Sequence, residues 1–204
     1  IRRYSDLNIG YGVLDSTQYR ATHFQYKSID LARWRPNLDI PDEFRLPQSE
    51  NIRVLHSFMF GTARMESQSG NIKGTKYIVN AVERLKSEGY LIDFLSFDNV
   101  PTSQYRFIQA QADIVIEELI RGSWGSTAVE CMALGKPVVT YVRQDWEARY
   151  YRLFPKAEPL PLVNANKWTI YQVLRELVEN PEHRIKIGQN SRKWAEANLN
   201  PDLN

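Results

Sequence analysis

The chain has 204 residues, enough for one α/β domain with a connecting arm. An apolar content of 43% with 12% aromatics excludes a disordered chain, and a net charge of +2 gives no electrostatic ground for a nucleic-acid partner. A single cysteine, Cys131, excludes a disulfide framework and fits a reducing cytoplasm. Three histidines without ligand spacing argue against a metal centre.

No apolar run reaches membrane-spanning length and no signal peptide is visible. The first residue is Ile rather than Met, which suggests a fragment. In chain order, residues 6–14 and 21–26 read as short strands around a turn at 17–20. Residues 33–47 carry Pro36, Pro41 and Pro47 among charges and read as a linker. Residues 1–50 are therefore read as an arm, and 51–204 as the domain.

A strand is expected over 51–57, with His56 near its carboxyl end; such a histidine is either a cleft residue or a structural hydrogen bonder. A long loop, 58–72, rich in Gly, Ser, Thr and Gln, holds Arg64. Lys73 and Gly74 precede a helix over 76–88, where Tyr77, Ile78, Ala81, Val82 and Leu85 recur at helical spacing and Gly89 closes the run. The next strand, 91–97, is followed by a loop with Asn99 and Val100, and by a helix to residue 112 with Thr102 as its N-cap.

Residues 113–142 hold the clearest signal. A β-rich run, 113–119, leads to a loop of small residues, 121–127, a short helix, 128–134, a Gly135 stop, Pro137, and a second β-branched run, 138–142. Two apolar strands around a helix in about 30 residues form a βαβ unit of a parallel sheet. Ligands in such sheets lie beyond the strand carboxyl ends. Gly122, Ser123, Gly125 and Ser126 permit close backbone approach, and a helix starting near Ser126 presents N–H groups to an anion. Glu130, one turn in, suits a pair of ribose hydroxyls; a tight turn with a solvated Glu is the alternative.

Beyond this unit, residues 144–154 are aromatic and basic, which suits a helix packed on the sheet edge better than a nucleic-acid contact. A last strand covers 160–163. A helix over 168–180 places Trp168, Tyr171, Leu174, Leu177 and Val178 on one side, and Asn180 with Pro181 opens the final helix.

The run from Gly122 to Val138, with Glu130, Cys131-Met132-Ala133, Gly135 and Pro137, resembles the nucleotide-sugar motif of GT-B glycosyltransferases of the retaining group-1 type. Lys73-Gly74 at a helix start resembles that family's second motif, and the segment from Ser28 to Pro36 resembles its crossing segment between domains. The family's first motif Glu falls on Gly122, a departure from the pattern. The resemblance implies a Rossmann-like parallel sheet flanked by helices, the C-terminal half of a GT-B fold, with the N-terminal half outside this chain.

It also implies a nucleotide-sugar donor, a glycan or lipid-linked acceptor, no metal or other cofactor, and a cytoplasmic setting with possible peripheral membrane contact. Lys73, with Arg64 as a second candidate, would face the diphosphate together with the N–H groups of Ser126 and Thr127. Glu130 would take the ribose, Asn99 and Val100 the base. Gly74 and Gly125 would shape the backbone, and Gly122 would lie beside the sugar. With no side chain there, an acid at the end of the strand, Glu117 or Glu118, is expected to lean toward the sugar. Alternation sends them to opposite faces, Glu118 lies nearer the loop, and solvation of both is the alternative. Glu118 and His56 are the catalytic candidates. Two other readings stay open: a nucleotide-sugar epimerase, and a non-catalytic binding or scaffold domain.

Overall fold

The computed structural model describes residues 9–11, 23–25, 29–56, 73–97, 100–153 and 158–199. Two short strands, β1 (Ile9–Tyr11) and β2 (His23–Gln25), pair with each other in parallel. The expected turn at 17–20 lies outside the described residues. The domain proper starts at β3 (Ile52–His56) and alternates regularly: α1 (Thr75–Ser87), β4 (Ile92–Leu95), α2 (Thr102–Gln109), β5 (Ile114–Ile116) and α3 (Ser126–Ala133). Then follow β6 (Val138–Thr140), α4 (Gln144–Leu153), β7 (Leu162–Asn164), α5 (Ile170–Glu179) and α6 (Pro181–Asn198).

The five strands β3 to β7 form one parallel sheet in the order β4-β3-β5-β6-β7. Parallel neighbours need a crossover, and here each crossover contains a helix. Successive strand residues face opposite sides, and the core divides accordingly. Leu55, Val115 and Val138 point to the side covered by α2, α3, α4 and α6, where Tyr105, Ile108, Cys131, Met132, Tyr150 and Trp194 are buried. Val54, Ile114, Ile116 and Val139 point to the side covered by α1 and α5, through Ile78, Val82, Leu85, Leu174 and Leu177. Burial of each such aliphatic side chain contributes roughly 1.5–3 kcal/mol, so the interleaved rows drive the assembly.

The strands β3 to β7 are shorter than the sequence pattern predicts, because apolar runs continue past the last ladder bond, and α3 starts two residues earlier than expected. Thr102 is the first residue of α2, with Pro101 before it, rather than the cap. Gly135 ends α3 in the left-handed region (φ 71°), as expected. Trp168, placed by periodicity on the apolar side of α5, is 78% exposed. It sits in the turn before the helix, where Asn166 Oδ1 accepts the Trp168 and Thr169 N–H groups, so the helical phase does not reach it.

Residues 29–47, read as part of an arm, pack on the domain. Ile29 is buried and its N–H donates to the Leu199 carbonyl. Arg192 of α6 donates from Nη1 to the carbonyls of Trp34 and Ala133, both at 2.8 Å. Gln111 bonds Leu46 and Phe44. Among the described residues no helix is long and apolar enough to cross a membrane.

Candidate functional site

From β3 the chain steps outward to β4, then returns to place β5 on the other side of β3. The carboxyl ends of β3 and β5 therefore diverge into a crevice, the usual ligand position in such sheets. The starts of α1 and α3 flank it. Nine expected site residues, His56, Lys73, Gly74, Glu118, Gly122, Gly125, Ser126, Thr127 and Glu130, lie on these strand ends, helix starts and the loop between them.

Two ties hold the crevice in shape. The Leu119 N–H, just past β5, donates to the Lys73 carbonyl at 3.1 Å, so the lysine backbone is fastened to the strand end. His56 fastens the floor. Its Nδ1–H donates to the Ile116 carbonyl at 2.8 Å and Nε2 accepts from the Thr75 hydroxyl at 3.0 Å, a tautomer that follows from the carbonyl partner. The side chain is fully buried, and burial lowers its pKa from 6.5 to about 4, with Lys73 acting in the same direction and the Ile116 bond opposing. A neutral imidazole with these two partners is the structural hydrogen bonder of the two expected alternatives.

Neither acid after β5 is solvated, which corrects that alternative. Glu118 is 5% exposed and folds back on its own loop, where Oε1 accepts the N–H groups of Gly122 at 2.9 Å and Ser123 at 3.1 Å. Burial raises its carboxyl pKa and these two N–H groups oppose the rise. Glu117 is 2% exposed and faces the helix starts instead. Its Oε1 accepts the Gly125 N–H at 2.9 Å and lies 3.9 Å from Lys73 Nζ. The acid beside the lysine is thus Glu117. The strand pleat decides this, because residue 117 shares the face of Val115, under α3.

The loop after Glu118 explains the missing motif carboxylate. Gly122 has φ 87°, a conformation that a side chain rarely adopts. A Cβ there would also meet Arg143 Cγ at 2.3 Å, because the Arg143 stem covers this glycine and its N–H donates to the Gly122 carbonyl. The Arg143 guanidinium forms two bonds to Asp145. Beside it an open depression of about 600 Å³ runs between residues 141–145 and 164–169.

On α3, Gly125 and Ser126 are exposed and Thr127 is half-buried, so the helix start is open to the crevice. Glu130 is 8% exposed, and its Oε2 accepts a hydrogen bond from Gln109 Nε2 at 2.9 Å. Gln109, on the last turn of α2, is fully buried and was not anticipated, since no local pattern marks a contact between separate helices. Cys131 is fully buried and burial raises its thiol pKa well above the ordinary value, as expected of an apolar role. Val100 packs half-buried against the α2–α3 core rather than standing free. Asn99 and Arg64 lie outside the described residues. Among the described residues no group of three or more His, Cys, Asp or Glu side chains could hold a metal ion.

The sheet order, the parallel strands and the two helical layers define a Rossmann-like domain of the GT-B glycosyltransferase fold. Solved structures that share it include the following three. The chain is 14% identical to Anabaena Alr3699/HepE in complex with UDP-glucose, with a TM-score of 0.62 over 98% of this chain and 61% of that one. It is 13% identical to a glycosyltransferase from Rickettsia africae ESF-5, with a TM-score of 0.66 over 96% and 60%. Against the C-terminal domain of the group 1 glycosyltransferase LpcC from Francisella tularensis, identity is 15% and TM-score 0.53, over 85% of this chain and 99% of that domain. The chain thus spans about three fifths of the HepE chain's length. No family model matches the chain, and no curated protein matches it by sequence.

Proposed function

We propose that this domain binds a nucleotide-sugar donor and, with a second domain outside this chain, transfers the sugar to a hydroxyl of a glycan or lipid-linked acceptor. The observation that carries the reading is the joining of Lys73 and the open start of α3 at the β3–β5 crevice, with Glu130 one turn into the helix. A helix start supplies N–H groups and a positive dipole end, and a lysine supplies full charge. Together they stabilise the negative charge that develops on a nucleoside diphosphate leaving group. Glu130, positioned by Gln109, is the carboxylate that takes the ribose hydroxyls. Donor binding by Anabaena HepE, which shares the fold, supports the reading.

In this reading residues 1–50 link the two domains, the diphosphate is stabilised without a metal, and the reaction takes place in the cytoplasm, with any membrane contact peripheral. One observation favours a non-catalytic binding domain as the second reading: Gly122 has no side chain and Arg143 covers it.

Calorimetric titration with UDP, dUDP, UDP-glucose and uridine tests the donor site, with GDP and ADP as base controls. Glu130→Gln should weaken UDP binding by roughly 1–3 kcal/mol and abolish the preference for UDP over dUDP. Lys73→Ala should weaken the diphosphates and spare uridine. Equal affinity for UDP and dUDP in the unsubstituted protein would remove the ribose assignment, and product formation by the whole protein separates transfer from mere binding.

A further inference from the structure

Lys73 does not face the crevice alone. Glu117 lies beneath the glycine loop, 2% exposed, with Oε1 on the Gly125 N–H and 3.9 Å from Lys73 Nζ. The same oxygen lies where a Cβ on residue 125 would meet it at 2.7 Å, so glycine is what allows the loop to rest on the carboxylate. Its second oxygen, Oε2, is buried without a hydrogen-bond partner at bonding distance, while the Ala128 N–H adds a weaker pull that favours the ionised carboxylate. A carboxylate therefore already holds two of the groups that an incoming diphosphate would use: the lysine and the first N–H at the start of α3.

The charges around Glu117 leave it little else. Lys73, from the start of α1, is the cation that faces it. Glu118 from its own chain segment adds negative charge, and Cys131 from α3 is a neutral thiol pushed further from ionisation by Glu130 and Glu117. His56 from β3 is neutral and shares Lys73. When a diphosphate draws Lys73 outward, Glu117 loses its counter-charge while staying buried. A buried carboxylate without a cation is strongly disfavoured and neutralises by taking a proton.

We propose that Glu117 is the positioning and charge-matching residue of the diphosphate site: it holds Lys73 and the Gly125 N–H in the empty crevice, and takes up a proton from solvent when the diphosphate engages Lys73. The inference rests on the donor-binding reading above. The chemistry balances without a further reactant, since one ion pair is exchanged for another and one proton moves from water to the carboxylate. Burial already raises the Glu117 pKa, opposed first by Lys73 and then by the Gly125 N–H, so removal of the lysine moves the group further in the same direction.

UDP-glucose is the probe, because its diphosphate diester has no ionisation near neutral pH, so any proton taken up belongs to the protein. The heat of binding is measured in buffers of differing ionisation enthalpy, from mildly acidic to mildly alkaline pH. Proton uptake should approach one per ligand where Glu117 is ionised in the empty site, and affinity should fall by up to about tenfold per pH unit there. Glu117→Gln keeps an oxygen for the Gly125 N–H and cannot titrate. It should bind UDP-glucose without proton uptake and with affinity independent of pH. Binding with no uptake at any pH, or with uptake unchanged in Glu117→Gln, would overturn the proposal and leave donor binding standing. Absence of binding by the unsubstituted protein would overturn both. If the variant does not fold, Glu118→Gln decides: proton uptake retained with Glu118 removed supports Glu117, and uptake lost with it overturns the proposal.

Discussion

His56 is fully buried, neutral and bonded to both the Ile116 carbonyl and the Thr75 hydroxyl. Its pKa of about 4 in the folded protein lies below the ordinary 6.5. The unfolded chain therefore binds more protons between these values, and stability must rise with pH there. The contribution of His56 is fully present above 6.5 and is lost as pH falls toward 4, by up to about 1.4 kcal/mol per pH unit. The buried acids Glu117 and Glu118, whose pKa values are raised, act in the opposite sense, stabilising at low pH and losing that contribution as pH rises. Comparison with His56→Gln isolates the histidine. Urea unfolding of the two proteins should converge as pH falls through this window, with the unsubstituted protein the more stable by roughly 1–3 kcal/mol at neutral pH, since the variant leaves buried polar partners poorly paired. Parallel pH profiles would show that His56 titrates alike in both states.

The final helix depends on a close approach. α6 crosses the end of α3 so tightly that a Cβ on Gly188 would lie 2.2 Å from the Gly135 carbonyl oxygen. Two effects compete in Gly188→Ala. Alanine gains about 1 kcal/mol of helix propensity over glycine. Overpacking against backbone, which cannot rotate away, costs roughly 1–3 kcal/mol. The clash should win, because the atom met is a backbone carbonyl held by the Gly135 turn rather than a flexible side-chain tip. The expected result is a lower urea midpoint, while Ile185→Ala on the same helix, at a site 61% exposed, should change it little. A more stable Gly188→Ala protein would mean that α6 shifts freely on α3.

Across the whole molecule, residues 29–47 are held to the domain by one guanidinium as much as by apolar contact. Arg192 reaches the carbonyls of Leu31, Trp34 and Ala133 from Nη1, and Glu196 from Nε. Arg192→Met keeps an apolar stem but removes these donors, which should cost roughly 1–3 kcal/mol of local stability. Limited trypsin digestion followed by mass spectrometry should then show faster cleavage after Arg33, with the sheet intact. An unchanged cleavage rate would assign the hold to Ile29 and its burial instead.

Local sequence determined the alternation of strands and helices from residue 51 onward. Apolar periodicity reports which face of an element is buried, and Gly89, Gly135 and Pro137 punctuate the runs through backbone sterics. The position of the site was also legible, since the loop and helix after β5 carry their own chemistry. Which groups meet in it was decided only by the tertiary structure. Strand order brought β3 beside β5, and with it Lys73 beside Glu117. The pleat turned Glu117 rather than Glu118 toward the helix starts. Helix packing set Gln109 on Glu130, and Arg143 over Gly122. Each of these pairs joins groups on different segments, and no periodicity along the chain encodes the distance between them; it is set by the packing of the sheet and its two helical layers.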